Sequence, residues 1–180
     1  ANLQRAYGYY VDKSQWEHVA DLFARDAVLE INGRGRFIGH ERIREYMRHF
    51  GPPRRGLLMN HMQLQPVIHV DADGMHAQAR VRALMMVGQM GDHAMWGEAI
   101  YENDYVKEDG VWKIARLKAW QVFYTPYDKG WAVEVSPLLS ECRYEMRLVG
   151  AAAPSNPSAR SGRVRLGDEG MGRVSHDRLG

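Results

Sequence analysis

The chain has 180 residues, 45% hydrophobic and 26% charged, with a formal charge of +2, the profile of one globular domain with room for a tail. That charge is too small, and the arginines too scattered, for a nucleic-acid surface, and no apolar run reaches the roughly 18 residues that a membrane span needs. The single cysteine, Cys142, cannot form an internal disulfide, which together with the lack of a recognisable leader points to a reducing cytoplasm.

Leu3, Ala6, Tyr7, Tyr10 and Val11 recur at helical spacing, so a first helix is expected from Asn2 to Val11. Its end is unusual. In "YGYYVDKSQWEHV" the apolar face runs into Asp12, and a carboxylate there costs free energy unless something pairs with it. Ser14 with Glu17 reads as a capping box opening a second helix through Trp16, Val19, Ala20, Leu22 and Phe23. Asp12 then sits in the elbow between two helices, where it either caps the second or serves another group.

"AVLEINGRGRFIG" reads as a short strand pair around the turn dipeptide Asn32-Gly33. "HERIREYMRHF" places Ile43, Tyr46, Met47 and Phe50 on one face of a third helix, which Gly51-Pro52-Pro53 stops. From Leu57 the period changes to that of strands. "LLMNHMQLQPVIHV" and "MHAQARVRALMMVGQM" flank the turn Asp71-Ala72-Asp73-Gly74, and "AMWGEAIYENDYVKE" and "VWKIARLKAWQVFYT" flank Asp109-Gly110. Helices first and then a meander of long antiparallel strands is the α+β signature. The domain is expected over residues 1–134, with a docking segment at 135–149 and a Gly-, Ser-, Pro- and Arg-rich flexible tail at 150–180.

Such a sheet, strongly bent and covered by helices on one face, makes a cone with an apolar pocket, where each polar group needs a partner or a task. His61, in "LLMNHMQLQ", lies on a strand that the first helix must cover, so Asp12 can reach it. A carboxylate on one ring nitrogen fixes the tautomer and leaves the other nitrogen to accept a proton. Tyr7, more than a turn back along the same helix, is placed to hydrogen-bond a substrate oxygen. Taken singly, His61 reads equally well as a satisfied core histidine and Tyr7 as a core aromatic. Strict alternation on the last strand puts Trp112, Ile114, Arg116, Lys118 and Trp120 on an outer face and Ala115, Leu117, Ala119, Gln121 and Phe123 on the pocket side. Gln121, Leu117, Tyr10, Phe123 and Met85 are the expected substrate contacts. The other histidines lie on polar faces, at turns or at a hairpin tip, and no ligand spacing suggests a metal.

"YGYYVDKSQWEHVADLFARDAVLEING", "FIGHERIREYM", "NHMQLQPVI" and "YENDYVKEDGVWKI" resemble the nuclear transport factor 2-like superfamily, most closely its SnoaL-like branch, over about Leu3 to Trp131. That branch includes scytalone dehydratase, bile-acid dehydratase and hexachlorocyclohexane dehydrochlorinase. The resemblance implies a cone-shaped α+β barrel, and it matches Asp12 and His61 to the Asp–His pair of those eliminating enzymes. Tyr7 matches the tyrosine that the bile-acid enzyme carries before its Asp. Leu117 stands where the dehydrochlorinase has a cavity arginine, and Gln121 lies near the position of an arginine in the bile-acid enzyme.

The expected function is a cofactor-independent lyase acting on a small hydrophobic ring compound, with His61 and Asp12 as general base and Tyr7 assisting the oxygen. Isomerisation and polyketide cyclisation share the proton-abstraction step. A non-catalytic hydrophobic-ligand-binding or assembly subunit is the rival of another class. Trp112 and Trp120 on the outer sheet face suggest a homo-oligomer, dimer or trimer.

Overall fold

A computed structural model describes residues 1–133. The elements run α1 (Asn2–Asp12), α2 (Trp16–Asp21), β1 (Phe23–Ile31), β2 (Gly35–Ile38), α3 (His40–Arg48), β3 (Leu57–Val70), β4 (His76–Gln89), β5 (His93–Glu108) and β6 (Val111–Pro126). One six-stranded sheet has the order β2-β1-β6-β5-β4-β3. The expected docking segment and tail, with Cys142, lie outside the described residues. No helix among those described is long and apolar enough to cross a membrane.

The sheet is mixed rather than wholly antiparallel, because β1 pairs with β6 in parallel, Leu29 opposite Leu117. Hairpin periodicity carries no information on this pairing: β2 and α3 separate β1 from the meander, and the direction in which the meander starts is set by packing. The core lies between the concave face and the helices, where Leu29, Ile43, Val81, Ile114 and Leu117 are fully buried.

Helix α1 buries Gln4, Tyr7, Gly8 and Val11, an unbroken i, i+3, i+4, i+7 stripe. Leu3, Ala6 and Tyr10 are only half-buried on its flank. An apolar-only reading shifts the face because one stripe position is polar and another has no side chain. Gly8 is there for space. A Cβ built on it would stand 2.8 Å from Gln63 Cγ and 2.9 Å from the His61 carbonyl oxygen, so α1 lies directly on β3.

The capping box does not form. Ser14 takes a left-handed φ of 53°, and α2 begins after Gln15 without a side-chain cap. Glu17 instead accepts from Arg48 Nε at 2.6 Å and Arg44 Nη1 at 3.3 Å, tying α2 to α3. Charged partners in another helix outcompete a local cap.

Two bulges reset β6. Asp104 and Tyr105 pair with Arg116 and Ile114, leaving Ala115 extra, and Glu98 and Ala99 pair with Phe123 and Gln121, leaving Val122 extra. Ile114 therefore shares the inner face with Leu117, and Trp112 packs against the core instead of facing out. Trp120 does face out, donating from Nε1 to Glu102 Oε2 at 3.2 Å under the Lys118 ammonium.

Replacing Gly8 with Ala sets a helix-propensity gain of about 1 kcal/mol against an overpacking cost of about 1–3 kcal/mol. The contact to backbone oxygen cannot relax by side-chain rotation, so urea unfolding is expected to show Gly8→Ala destabilised. A stabilised variant would refute the close approach of α1 and β3.

Candidate active site

Asp12 is the last residue of α1, where the helix dipole disfavours a negative charge by about 0.3–1 kcal/mol. Two hydrogen bonds outweigh this. The His61 backbone N–H donates to Asp12 Oδ2 at 2.9 Å, and the His61 ring Nδ1 lies 2.8 Å from Asp12 Oδ1. Bonds to a charged acceptor contribute about 1.5–3 kcal/mol each. The carboxylate can only accept, so Nδ1 carries the proton and Nε2 keeps a lone pair in the neutral ring. Both side chains are mostly shielded, at 16% and 15% exposure.

A chain of amides, half-buried at Gln63 and buried at Gln4 and Asn103, supports this clasp from behind. Gln63 Nε2 donates to the His61 carbonyl at 3.0 Å, and Gln4 Nε2 donates to Gln63 Oε1 at 2.8 Å. Gln4 Oε1 in turn accepts from Asn103 Nδ2 at 2.6 Å and from the Tyr105 hydroxyl at 3.0 Å. The bonds hold the strand segment carrying His61 against α1 and across to β5.

His61 lines a cavity of ≈ 370 Å³ walled mainly by Val11, Met59, Met85, Val87, Tyr101 and Tyr124. That volume suits a small ring compound. Tyr7 packs edge-on against Tyr101 with ring centroids 6.1 Å apart, and both line the wall. Burial pushes the phenols of Tyr7 and Tyr101 well above the ordinary tyrosine range, so both remain hydrogen-bond donors. Burial likewise pushes Tyr105 up to about 12.

Of the residues singled out from the sequence, Asp12, His61 and Tyr7 come together, and Met85 and Gln121 line the same cavity. Three expected contacts fall elsewhere. Phe123 is turned to the outer face by the Val122 bulge and packs on Trp96, with ring centroids 5.4 Å apart; Tyr124 takes its place in the wall. Leu117 is fully buried in the core below the cavity lining. Tyr10 stands on the flank of α1 against the His18 ring. His93, read as a hairpin tip, lines the cavity mouth beside Asp92, with Nδ1 2.8 Å from Oδ2. Among the described residues no group of three or more His, Cys, Asp or Glu side chains is placed to hold a metal ion.

The sequence reading missed Tyr101, Tyr124 and Arg34. Tyr101 was available in principle, since it alternates in register with Ala99 and Asn103 on a strand facing Tyr7. Tyr124 was hidden by a bulge, and Arg34 by its place in a polar turn.

A mixed sheet wrapped on short helices, with a carboxylate–imidazole pair in an apolar cavity, defines the class as α+β cone proteins of the nuclear transport factor 2-like type. The chain belongs to the SnoaL-like domain family, whose profile matches residues 1–118. It is 27% identical over 116 residues to hexachlorocyclohexane dehydrochlorinase 1 of Sphingobium indicum, a match covering 64% of this chain and 75% of that protein. Among solved structures, a scytalone dehydratase-like protein from Novosphingobium aromaticivorans superposes with a TM-score of 0.62 at 20% identity, covering 70% of this chain and 83% of that one. Hexachlorocyclohexane dehydrochlorinase LinA-type3 from Novosphingobium barchaimii gives 0.60 at 22% identity, covering 69% and 84%. These two likenesses establish the fold.

The folded state holds the Tyr105 proton more tightly than the unfolded chain does. Its contribution to stability is thus constant below about pH 10 and lost above it, at about 1.4 kcal/mol per pH unit, until the pH passes the folded value of about 12. Chemical unfolding at several alkaline pH values should show that decline reduced by one such increment in Tyr105→Phe. An unchanged alkaline slope would contradict the burial of that phenol.

Proposed function

We propose that the protein is a lyase that eliminates water or another leaving group from a small hydrophobic ring compound. The observation that carries this reading is the two-point grip of Asp12 on His61, 2.8 and 2.9 Å, with the remaining ring nitrogen left to an apolar cavity. A purely passive pocket has no use for a desolvated carboxylate–imidazole pair. Membership of the SnoaL-like family and the sequence likeness to a dehydrochlorinase support a lyase or isomerase.

In the proposed step, His61 Nε2 takes a proton from ring carbon. The C–H electrons form a double bond to the neighbouring carbon as the leaving group departs with its own bonding pair. Asp12 balances the imidazolium that forms. Tyr7, its phenol kept protonated by burial, donates a hydrogen bond to the oxygen that gains charge, and Tyr101 stands beside it. Met85 and Gln121 supply apolar and amide contacts to the ring. These side chains suffice for proton transfer in an apolar-walled cavity. Were the proton returned to another carbon, the same parts would give an isomerase or a cyclase.

The test is turnover across a panel of hydroxylated ring compounds. For any substrate found, His61→Gln should lower kcat about 10²–10⁴-fold with binding retained. Asp12→Asn should lower kcat as well, because the amide no longer balances the imidazolium. Retention of turnover in His61→Gln would remove the general base from the reading.

We also propose that the chain self-associates through the outer sheet face. Leu58 and Leu64 alternate with the inward Met59, His61 and Gln63 and are 52% and 42% exposed. Sedimentation should give a species heavier than one chain that Leu58→Glu dissociates; a wild-type monomer at micromolar concentration would count against it.

A further inference from the structure

The cavity mouth carries charge that the elimination step does not use. Arg34 and Arg54 both line it, and neither has a carboxylate within salt-bridge distance among the described residues. Among the described residues the one carboxylate in the same wall, Asp92, faces the His93 ring. Arg44, Arg80 and Arg82 elsewhere all have acidic partners.

Arg34 is held over the cavity by its turn. Gly33 adopts a φ of 72°, which side-chain-bearing residues disfavour, and closes the β1–β2 turn with Arg34 N–H donating to the Ile31 carbonyl at 2.9 Å. The neighbouring Asn32 N–H donates to the Ala119 carbonyl at 3.1 Å, tying the turn to β6. From there the guanidinium lies 6.0 Å from the centre of the Phe50 ring. Its charge is felt by the phenols of Tyr7, Tyr46, Tyr101 and Tyr124, all in the cavity wall, each drawn down against the upward push of burial.

The polar groups beside that charge complete the picture. The Tyr46 hydroxyl is buried against the cavity with the Arg34 guanidinium as its hydrogen-bonding neighbour, and the Gln121 amide oxygen, also buried there, has no partner among the described residues. Buried polar atoms are rarely left without a partner: the Arg34 guanidinium and the Tyr46 hydroxyl are both donors that an anion can meet, while the Gln121 oxygen, an acceptor, is left for a donor group of the ligand. The planar fork of an arginine matches a carboxylate with two parallel bonds, which an alcohol or a neutral amide cannot return.

We propose that the substrate is a ring acid: an apolar ring seated against the methionines and tyrosines, with a carboxylate held by Arg34 and the Tyr46 hydroxyl. This deepens the lyase reading and rests on the same cavity being the reaction site. Arg34 fixes which end of the ring faces out, so that the opposite end meets His61. Arg54 adds a second positive charge at the rim. Neutral ring compounds of the same size would bind in more than one orientation.

The experiment is calorimetric titration of the full chain with cinnamate and with cinnamamide, which share size and shape but differ in charge. Wild type is expected to prefer cinnamate by about tenfold or more. Arg34→Gln should abolish that preference and leave the amide's affinity unchanged, and Arg34→Lys should restore only part of it. Arg34 is on an exposed turn, and circular dichroism checks that the variants fold. His61→Gln should keep the preference, which separates this proposal from the base assignment: loss of turnover there speaks to the base alone. Equal binding of the two probes, no binding of either, or a preference that survives Arg34→Gln would each overturn the proposal; its loss in Arg54→Gln instead would move the anion site to Arg54.

Discussion

The Asp12–His61 clasp is the constraint on which the rest of the structure depends. A carboxylate at the C-terminal end of a helix is in the wrong place for the helix dipole, and the two bonds from His61 more than offset that cost. Because one bond goes to the backbone and the other to the ring of the same residue, the carboxylate fixes both strand position and ring orientation. Helix α1 can reach this far only because Gly8 leaves no side chain between it and β3. Gln4 and Gln63 extend the same contact as a hydrogen-bonded line, so α1 faces the sheet through an amide seam set in an apolar interior.

What the cavity offers a ligand follows from where β6 breaks its alternation. With Ala115 and Val122 both extra, the strand presents Leu117, Ala119 and Gln121 inward and then skips to Tyr124. Phe123 is thereby sent outward, where it joins Trp96 and Trp131 in an aromatic cluster. A bulge leaves composition unchanged but exchanges the faces of everything beyond it.

The cavity is therefore apolar in its walls, rich in protonated phenols, and charged at two places. One is the acid–imidazole pair; the other is the mouth, where Arg34 and Arg54 stand with the Asp92–His93 pair. In a low-dielectric site such separated charges act strongly on anything between them. A ligand that is apolar in the middle and polar at both ends meets that distribution, which gives the site a direction as well as a volume.

Much was legible from the chain alone. The order of three helices and four long strands followed from period changes and turn residues, and the Asp12–His61 meeting followed from one carboxylate in an unlikely place and one histidine on the strand opposite. The capping-box reading of Ser14 and Glu17 failed because charges on α3, remote in sequence, compete for Glu17. The outward Trp112 and the inward Phe123 failed because bulges are set by cross-strand pairing. Arg34 was not legible since a turn arginine looks like any solvated charge until the turn is folded over the cavity. The sequence by itself determined the order of helices and long strands and that Asp12 needed a partner, because those depend on local periodicity and the cost of an unpaired charge; Leu22 and Phe23, read as the end of the second helix, instead cap it and open β1. Tertiary structure alone decided the parallel β1–β6 pairing, the residues that wall the cavity and the placing of Arg34 at its mouth, because these arise from register and contact between segments far apart in the chain.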